Sequence, residues 1–142
     1  MAKRSAKSQA VPPTPYRVFV SHATPDKWVA RTICEKIDSL GVVTFRDDRD
    51  IDGGDDIADH LRAEIKRTDE LLVLLTPISF NRPWVLLEVG AAWEAGKWIV
   101  PICYHVEADK IPTMLAKRKA YWLNDFDRYL AELSVRMLEV PR

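Results

Sequence analysis

The sequence has no surplus of charge: 21 basic residues balance 21 acidic ones in a chain of 142. Nothing in that balance draws the chain to polyanions, so neither nucleic acid nor an anionic membrane is expected as a partner. Its apolar runs are too short to cross a bilayer, and its basic amino terminus lacks the apolar stretch of a secretion signal. A cytoplasmic protein is expected. Cysteine is nearly absent. Cys34 falls in a helical pattern and Cys103 ends an apolar strand-like run, which suits two buried, reduced thiols. CxxC, HExxH, P-loop and GxSxG motifs are all missing. Metal and nucleophile-elbow chemistry are therefore unsupported, and neither a metal nor a bound cofactor is expected.

What is present suffices for one domain. Hydrophobic residues make up 47% of the chain, and a chain of this length buries a core without disulfides or metals. Residues 1–15 stand apart. They carry Lys3, Arg4 and Lys7, Ser5 and Ser8, and Pro12, Pro13 and Pro15, with no periodic apolar face. A disordered, solvated leader is expected there, followed by a single domain over residues 16–142.

Within that domain strands and helices alternate. Arg17 to Ser21 is a β-branched and aromatic run, the first strand. Thr24 is placed to cap a helix and Pro25 to fill its first position. Val29, Ile33, Ile37 and Leu40 then recur at helical spacing until Gly41 stops them. Val42 to Phe45 is the second strand. A charged loop, Arg46 to Asp56, contains Gly53-Gly54, and Asp55 or Asp56 caps the next helix, with Ile57, Leu61 and Ile65 on its apolar face. Glu70 to Leu75 reads as a central strand, apolar on both faces. Pro83 opens a third helix that runs to about Ala95, with Gly96 as its stop. Trp98 to Tyr104 is a fourth strand, whose Pro101 points to an edge or a bulge. A short helix or turn over 111–117 leads to a short fifth strand over 120–123. Asn124 then caps a last helix carrying Phe126, Leu130, Leu133 and Met137.

This order predicts a flavodoxin-like α/β fold in three layers: a five-stranded, mostly parallel sheet of order 2-1-3-4-5 between helices. Ligands bind such sheets past the carboxyl ends of the strands, where the winding reverses. That crevice lies between strands one and three. Its walls are the loops after Ser21 and after Leu75, and the loop after Phe45 forms a lip. The first wall offers Ser21, His22 and Ala23, leading into a helix amino terminus that favours an anion such as a diphosphate. The second offers Ser79 and Phe80, then Trp84. The lip offers Arg46 and Asp47.

Trp84 and Glu88 stand four apart on one helix and share a face. The other positions of that helix, among them Val85, Leu86, Leu87, Val89 and Trp93, are so apolar that the helix reads as largely buried. A carboxylate in that setting is partnered, metal-bound or functional. The plain alternative for Glu88 is a salt bridge with Arg46, Arg82 or Lys97. His22 and Ser79 read equally as ordinary turn residues, and Asp47 and Asp48 as part of a solvated loop. Trp28, Trp93, Trp98 and Trp122 read as core or interface residues.

At these residues the sequence resembles a TIR domain. Tyr16-Arg17-Val18-Phe19-Val20-Ser21-His22 is similar to the family's first box. Phe45-Arg46-Asp47, with Ile51 and Gly53-Gly54, resembles its second strand and BB loop. Pro77-Ile78-Ser79 and Trp84-Val85-Leu86-Leu87-Glu88 resemble the stretch ending in the family's W-x-x-x-E signature. The likeness runs from about Tyr16 to Tyr104 and is closest to bacterial members. It implies cleavage of NAD⁺, as substrate and not cofactor, at the nicotinamide–ribose bond, giving nicotinamide and ADP-ribose or a cyclic isomer. Glu88 takes the place of the catalytic glutamate and Trp84 that of the signature tryptophan. Ser79 matches a position that often lines the pocket. The BB loop, Arg46 to Asp55, is implied to gate the site and to join neighbouring TIR domains, with a separate sensor or effector protein as a further partner and bacterial immune signalling, such as antiphage defence, as the setting.

Two other classes compete. A non-catalytic TIR scaffold would act through TIR–TIR contacts alone. A nucleoside ribosyl-transferring enzyme would use a similar sheet. A receiver-like phospho-acceptor is excluded, because Thr76-Pro77 and Ser21-His22-Ala23 stand where that class needs aspartate.

Overall fold

Side chains alternate across a strand, so a strand buried on both faces must be apolar at successive positions. The computed structural model bears this out. It describes residues 14–46, 57–79, 81–116 and 118–139. Most of the leader, the loop over 47–56 with Asp47, its glycines and its capping aspartates, and Phe80 lie outside the described residues. The elements are β1 (Arg17–Ser21), α1 (Lys27–Asp38), β2 (Val43–Phe45), α2 (Ile57–Arg67), β3 (Glu70–Leu75), α3 (Pro83–Glu94), β4 (Trp98–Cys103), α4 (Thr113–Ala116), β5 (Tyr121–Trp122) and α5 (Phe126–Glu139). The strands form one sheet of order 2-1-3-4-5, and every pairing in it is parallel. Among the described residues no helix is long and apolar enough to cross a membrane.

Parity divides the core. Val18, Val20, Leu72, Leu74, Val100 and Ile102 pack on Ala30, Ile33 and Ile37 of α1 and on Phe126, Tyr129 and Leu133 of α5. The alternate set, including Phe19, Leu71, Val73 and Leu75, packs on Leu61 and Ile65 of α2 and on Val85, Val89 and Ala92 of α3. Cys34 lies in the first layer and Cys103 in the second. Both are buried free thiols, and burial pushes both above the ordinary thiol value.

Several local expectations change. Neither Thr24 nor Asn124 caps a helix. Each lies inside a 3₁₀ turn, Thr24–Asp26 and Leu123–Asp125, whose N-cap positions are Ala23 and Trp122. In the first of these the backbone closes on itself, Asp26 N–H donating to the Ala23 carbonyl at 2.9 Å. Pro101 interrupts nothing, because the β3–β4 register runs unbroken from Glu70 opposite Trp98 to Leu75 opposite Cys103. β5 pairs only with Ile102 and Cys103, so Pro101 precedes the paired stretch on that side. The helix stops are as expected: Gly41 has φ +86° and Gly96 has φ +69°. The tryptophans are not core. Trp28, Trp93, Trp98 and Trp122 are all at least half exposed. α3 is also less buried than its composition implies, since Leu86, Leu87 and Trp93 face solvent.

β3 holds one charge. Glu70 is 0% exposed and shares the parity of Leu72 and Leu74, so it faces α5. Its carboxylate accepts from Tyr16 Oη (2.6 Å), Tyr129 Oη (2.6 Å), and Arg136 Nε (2.8 Å) and Nη2 (3.1 Å). The Arg136 guanidinium also lies 5.3 Å from the centre of the Trp98 ring. Burial opposes the charge on Arg136, yet hydrogen bonds and attraction from Glu70 hold its pKa above the ordinary value. This cluster joins β1, β3 and α5 at the amino end of the sheet.

Candidate functional site at the carboxyl end of the sheet

Ser21 ends β1 with the parity of Phe19, so its side chain points into the α2–α3 layer. There it meets α3. Ser21 Oγ donates to Glu88 Oε1 at 2.5 Å, with Ser21 0% and Glu88 1% exposed. Pro83 lies in the first turn of α3, and the helix buries Val85, Glu88, Val89 and Ala92 against the sheet. One carboxylate is thereby placed among apolar side chains, beside the end of β1. Lys97 is not its counter-ion, because the Lys97 ammonium donates to the Lys66 carbonyl at 2.8 Å. One turn before Glu88, Trp84 packs on the same apolar layer. Its Nε1 is the single buried side-chain N or O without a hydrogen-bond partner among the described residues, an inward donor of a kind native proteins rarely leave unmet.

The first wall of the crevice is more closed than its sequence implies. His22 is 4% and Ala23 3% exposed, and His22 Nδ1 lies 2.8 Å from the Ala23 carbonyl. The helix start beyond them already carries a negative charge. Asp26 sits at the amino end of α1 and accepts from Thr76 Oγ1 at 2.7 Å, occupying the positive end that a diphosphate would use. This link across the crevice joins residues 50 apart in the chain, beyond the reach of any local pattern.

The second wall is a self-bonded turn. Ser79 Oγ accepts from the Thr76 N–H (2.8 Å) and donates to the Leu74 carbonyl (2.7 Å), and Ser79 is 0% exposed. Its hydroxyl is engaged in holding the turn. Thr76 Oγ1 in turn accepts from the backbone N–H groups of Ile78 and Ser79, each at 3.2 Å. Arg46 follows β2 and is half-buried. The structure thus brings Ser21 onto Glu88 and ties Ser79 into the neighbouring loop. Asp47 and Phe80 lie outside the described residues. Among the described residues no group of three or more His, Cys, Asp or Glu side chains is placed to hold a metal ion.

Comparison with known proteins bears on this geometry. A family model described as "TIR domain" matches residues 18–134. A protein of Brachypodium distachyon named "Probable 2' cyclic ADP-D-ribose synthase BdTIR" is 24% identical over 118 residues, which is 80% of this chain. The chain spans about half of that relative, 53% of its length. The TIR domain of the Toll-related receptor TRR-2 from Hydra magnipapillata superposes with a TM-score of 0.63 at 23% identity, covering 85% of this chain and 93% of that one. A metazoan TIR-STING receptor from C. gigas superposes at 0.68 and 23%, covering 92% and 41%. At these identities both structures speak for the fold.

Proposed function

Because the chain belongs to the TIR domain family, we propose that it cleaves NAD⁺ at the nicotinamide–ribose bond, with Glu88 as the catalytic carboxylate. The observation that carries the reading is the buried Glu88 carboxylate, held by Ser21 beside the carboxyl end of β1. The relative named as a probable 2' cyclic ADP-D-ribose synthase supports a product of this class. Trp84 and Glu88 then form the W-x-x-x-E signature of a bacterial-type domain over residues 16–142. That domain works in the cytoplasm and in immune signalling.

The chemistry needs little acid catalysis. When the bond from C1′ to the pyridinium nitrogen breaks, its electron pair leaves with nicotinamide, which departs neutral. Positive charge grows on the ribose. A preoriented carboxylate in a dry setting stabilises that charge, and the Ser21 hydroxyl fixes its orientation. Water then adds at C1′ and loses a proton, giving ADP-ribose; alternatively a hydroxyl of the same molecule adds and loses a proton, giving a cyclic isomer. The inward N–H of Trp84 is suited to meet an acceptor on the substrate.

Self-association belongs to the same proposal. Leu86, Leu87 and Trp93 leave α3 apolar on its outer side as well, and a helix apolar all round is normally covered. The described part of the BB loop is Arg46. The test is incubation of the chain with NAD⁺ at rising protein concentration, with nicotinamide and ribosyl products separated by chromatography. Release that climbs faster than linearly with protein is expected, since mass action favours assembly. No release at any concentration would leave the scaffold reading.

A further inference from the structure

The carboxyl end of the sheet carries a second recess, away from Glu88. It lies past the ends of β4 and β5, has a volume of about 450 Å³, and is lined by Tyr104, His105 and Glu107 on one side and Trp122 and Asn124 on the other. Strand spacing of about 4.8 Å puts it roughly 12 Å along the sheet from Ser21. Ligand sites in open α/β sheets lie at this end.

Its walls are unusual for a solvent-facing loop. Trp122 is 50% and Tyr104 38% exposed, so two large aromatic faces are left wet at a cavity mouth. The Tyr104 and His105 ring centroids are 4.1 Å apart. His105 is also the one non-glycine residue with positive φ, +57°, among the described residues. That conformation is unfavourable for an L-residue, and such strain gathers at ligand sites. The same recess is lined by a carboxylate, Glu107, and an amide, Asn124. Neither side chain is engaged by another described residue. An amide pairs with the ring nitrogen and amino group of adenine, and a carboxylate accepts from an exocyclic amino group. Aromatic faces stack on a flat base.

A different recess, of about 240 Å³ and lined by Arg118, Lys119 and Arg136 among others, makes a weaker candidate. Lys119 is answered there by Glu132 at 2.9 Å and Arg136 by Glu70 at 2.8 Å.

We infer that the recess between the ends of β4 and β5 binds the amino-purine ring of an adenine nucleotide. That ring belongs either to a free nucleotide or to the far end of the NAD⁺ held at Glu88. The second source rests on the function proposed above; the first does not.

The probe is AMP, titrated into the full chain while the Trp122 indole and His105 imidazole signals are followed by NMR. IMP, in which a carbonyl replaces the amino group, is the control. AMP is expected to shift both signals saturably and to bind about tenfold or more tighter than IMP. Trp122→Ala is expected to weaken AMP by about tenfold or more, while Trp122→Phe retains most of the affinity. Asn124→Ala is a second variant, at an exposed position, that narrows the gap between AMP and IMP. If AMP and Trp122→Ala raise KM for NAD⁺ without changing kcat, the ring is the substrate's own. If AMP binds while KM is unmoved, it is a separate nucleotide. Unshifted Trp122 and His105 signals at millimolar AMP overturn the inference, whether or not NAD⁺ is cleaved. Equal affinity of wild type and Trp122→Ala does the same.

Discussion

Among the described residues two glutamates are buried, at opposite ends of one sheet. Glu70 opens β3 at the amino end. Two tyrosine hydroxyls and a guanidinium converge on it, so its charge is neutralised and its oxygens are filled. Glu88 sits on α3 at the carboxyl end and accepts from the Ser21 hydroxyl. Burial is nearly the same, 0% and 1%. What differs is the end of the sheet. Glu70 makes a cross-link between β1, β3 and α5. Glu88 is placed where this topology receives ligands. A buried carboxylate alone therefore does not mark a site.

The contrast can be strained first at Glu70. Glu70→Ala leaves the half-buried Arg136 and two buried tyrosine hydroxyls facing an empty position and is expected to cost about 3–5 kcal/mol, read from chemical denaturation. Glu70→Leu with Arg136→Met removes both charges and is expected to recover part of that loss, the Tyr16 and Tyr129 hydroxyls still lacking their acceptor. If Glu70→Ala unfolds at the wild-type midpoint, the cross-link is ornamental.

A smaller effect separates holding the turn from lining the pocket. Ser79→Ala removes a hydroxyl that satisfies one buried donor and one buried acceptor, and is expected to destabilise by about 1–3 kcal/mol. Turnover per folded molecule is expected to hold. A fall in turnover at unchanged stability would return Ser79 to the substrate pocket.

The smallest effect is alkaline. Burial, and then the charge of Glu70, push Tyr16 and Tyr129 above the ordinary tyrosine value. The folded chain thus keeps protons that the unfolded chain gives up above about pH 10. Stability from this source is full below that pH and falls as pH rises through it, by at most about 1.4 kcal/mol per unit per tyrosine. Denaturation midpoints from pH 9 upward are expected to fall less steeply in Tyr16→Phe than in wild type. Parallel slopes would show that folding does not hold the proton on Tyr16.

Much of this arrangement was legible in the sequence, because it is carried by short-range pattern. The parity of β3, the glycines at 41 and 96, and the strand order follow from local periodicity and handedness. The pairing of Trp84 with Glu88 on one helix follows from their spacing. The Glu70 cluster was not legible. Its partners stand 54, 59 and 66 residues away, and inside an apolar run one glutamate reads as a strand end. The signal was there in principle, since a charge in a central strand demands partners. The 3₁₀ turns at Thr24 and Leu123 were missed because capping residue types also suit tight turns. The exposure of Leu86, Leu87 and Trp93 was missed because an apolar helix looks the same whether its outer side is covered by its own chain or by another.

The most direct test exchanges a single oxygen at each glutamate. Glu88→Gln and Glu70→Gln are compared for NAD⁺ loss per folded molecule and for unfolding midpoint. Glu88→Gln is expected to lose about 10²–10³ in turnover with little change in midpoint, and Glu70→Gln to lose midpoint while its folded fraction turns over as wild type does. Undiminished turnover in folded Glu88→Gln would contradict the division of labour between the two ends of the sheet.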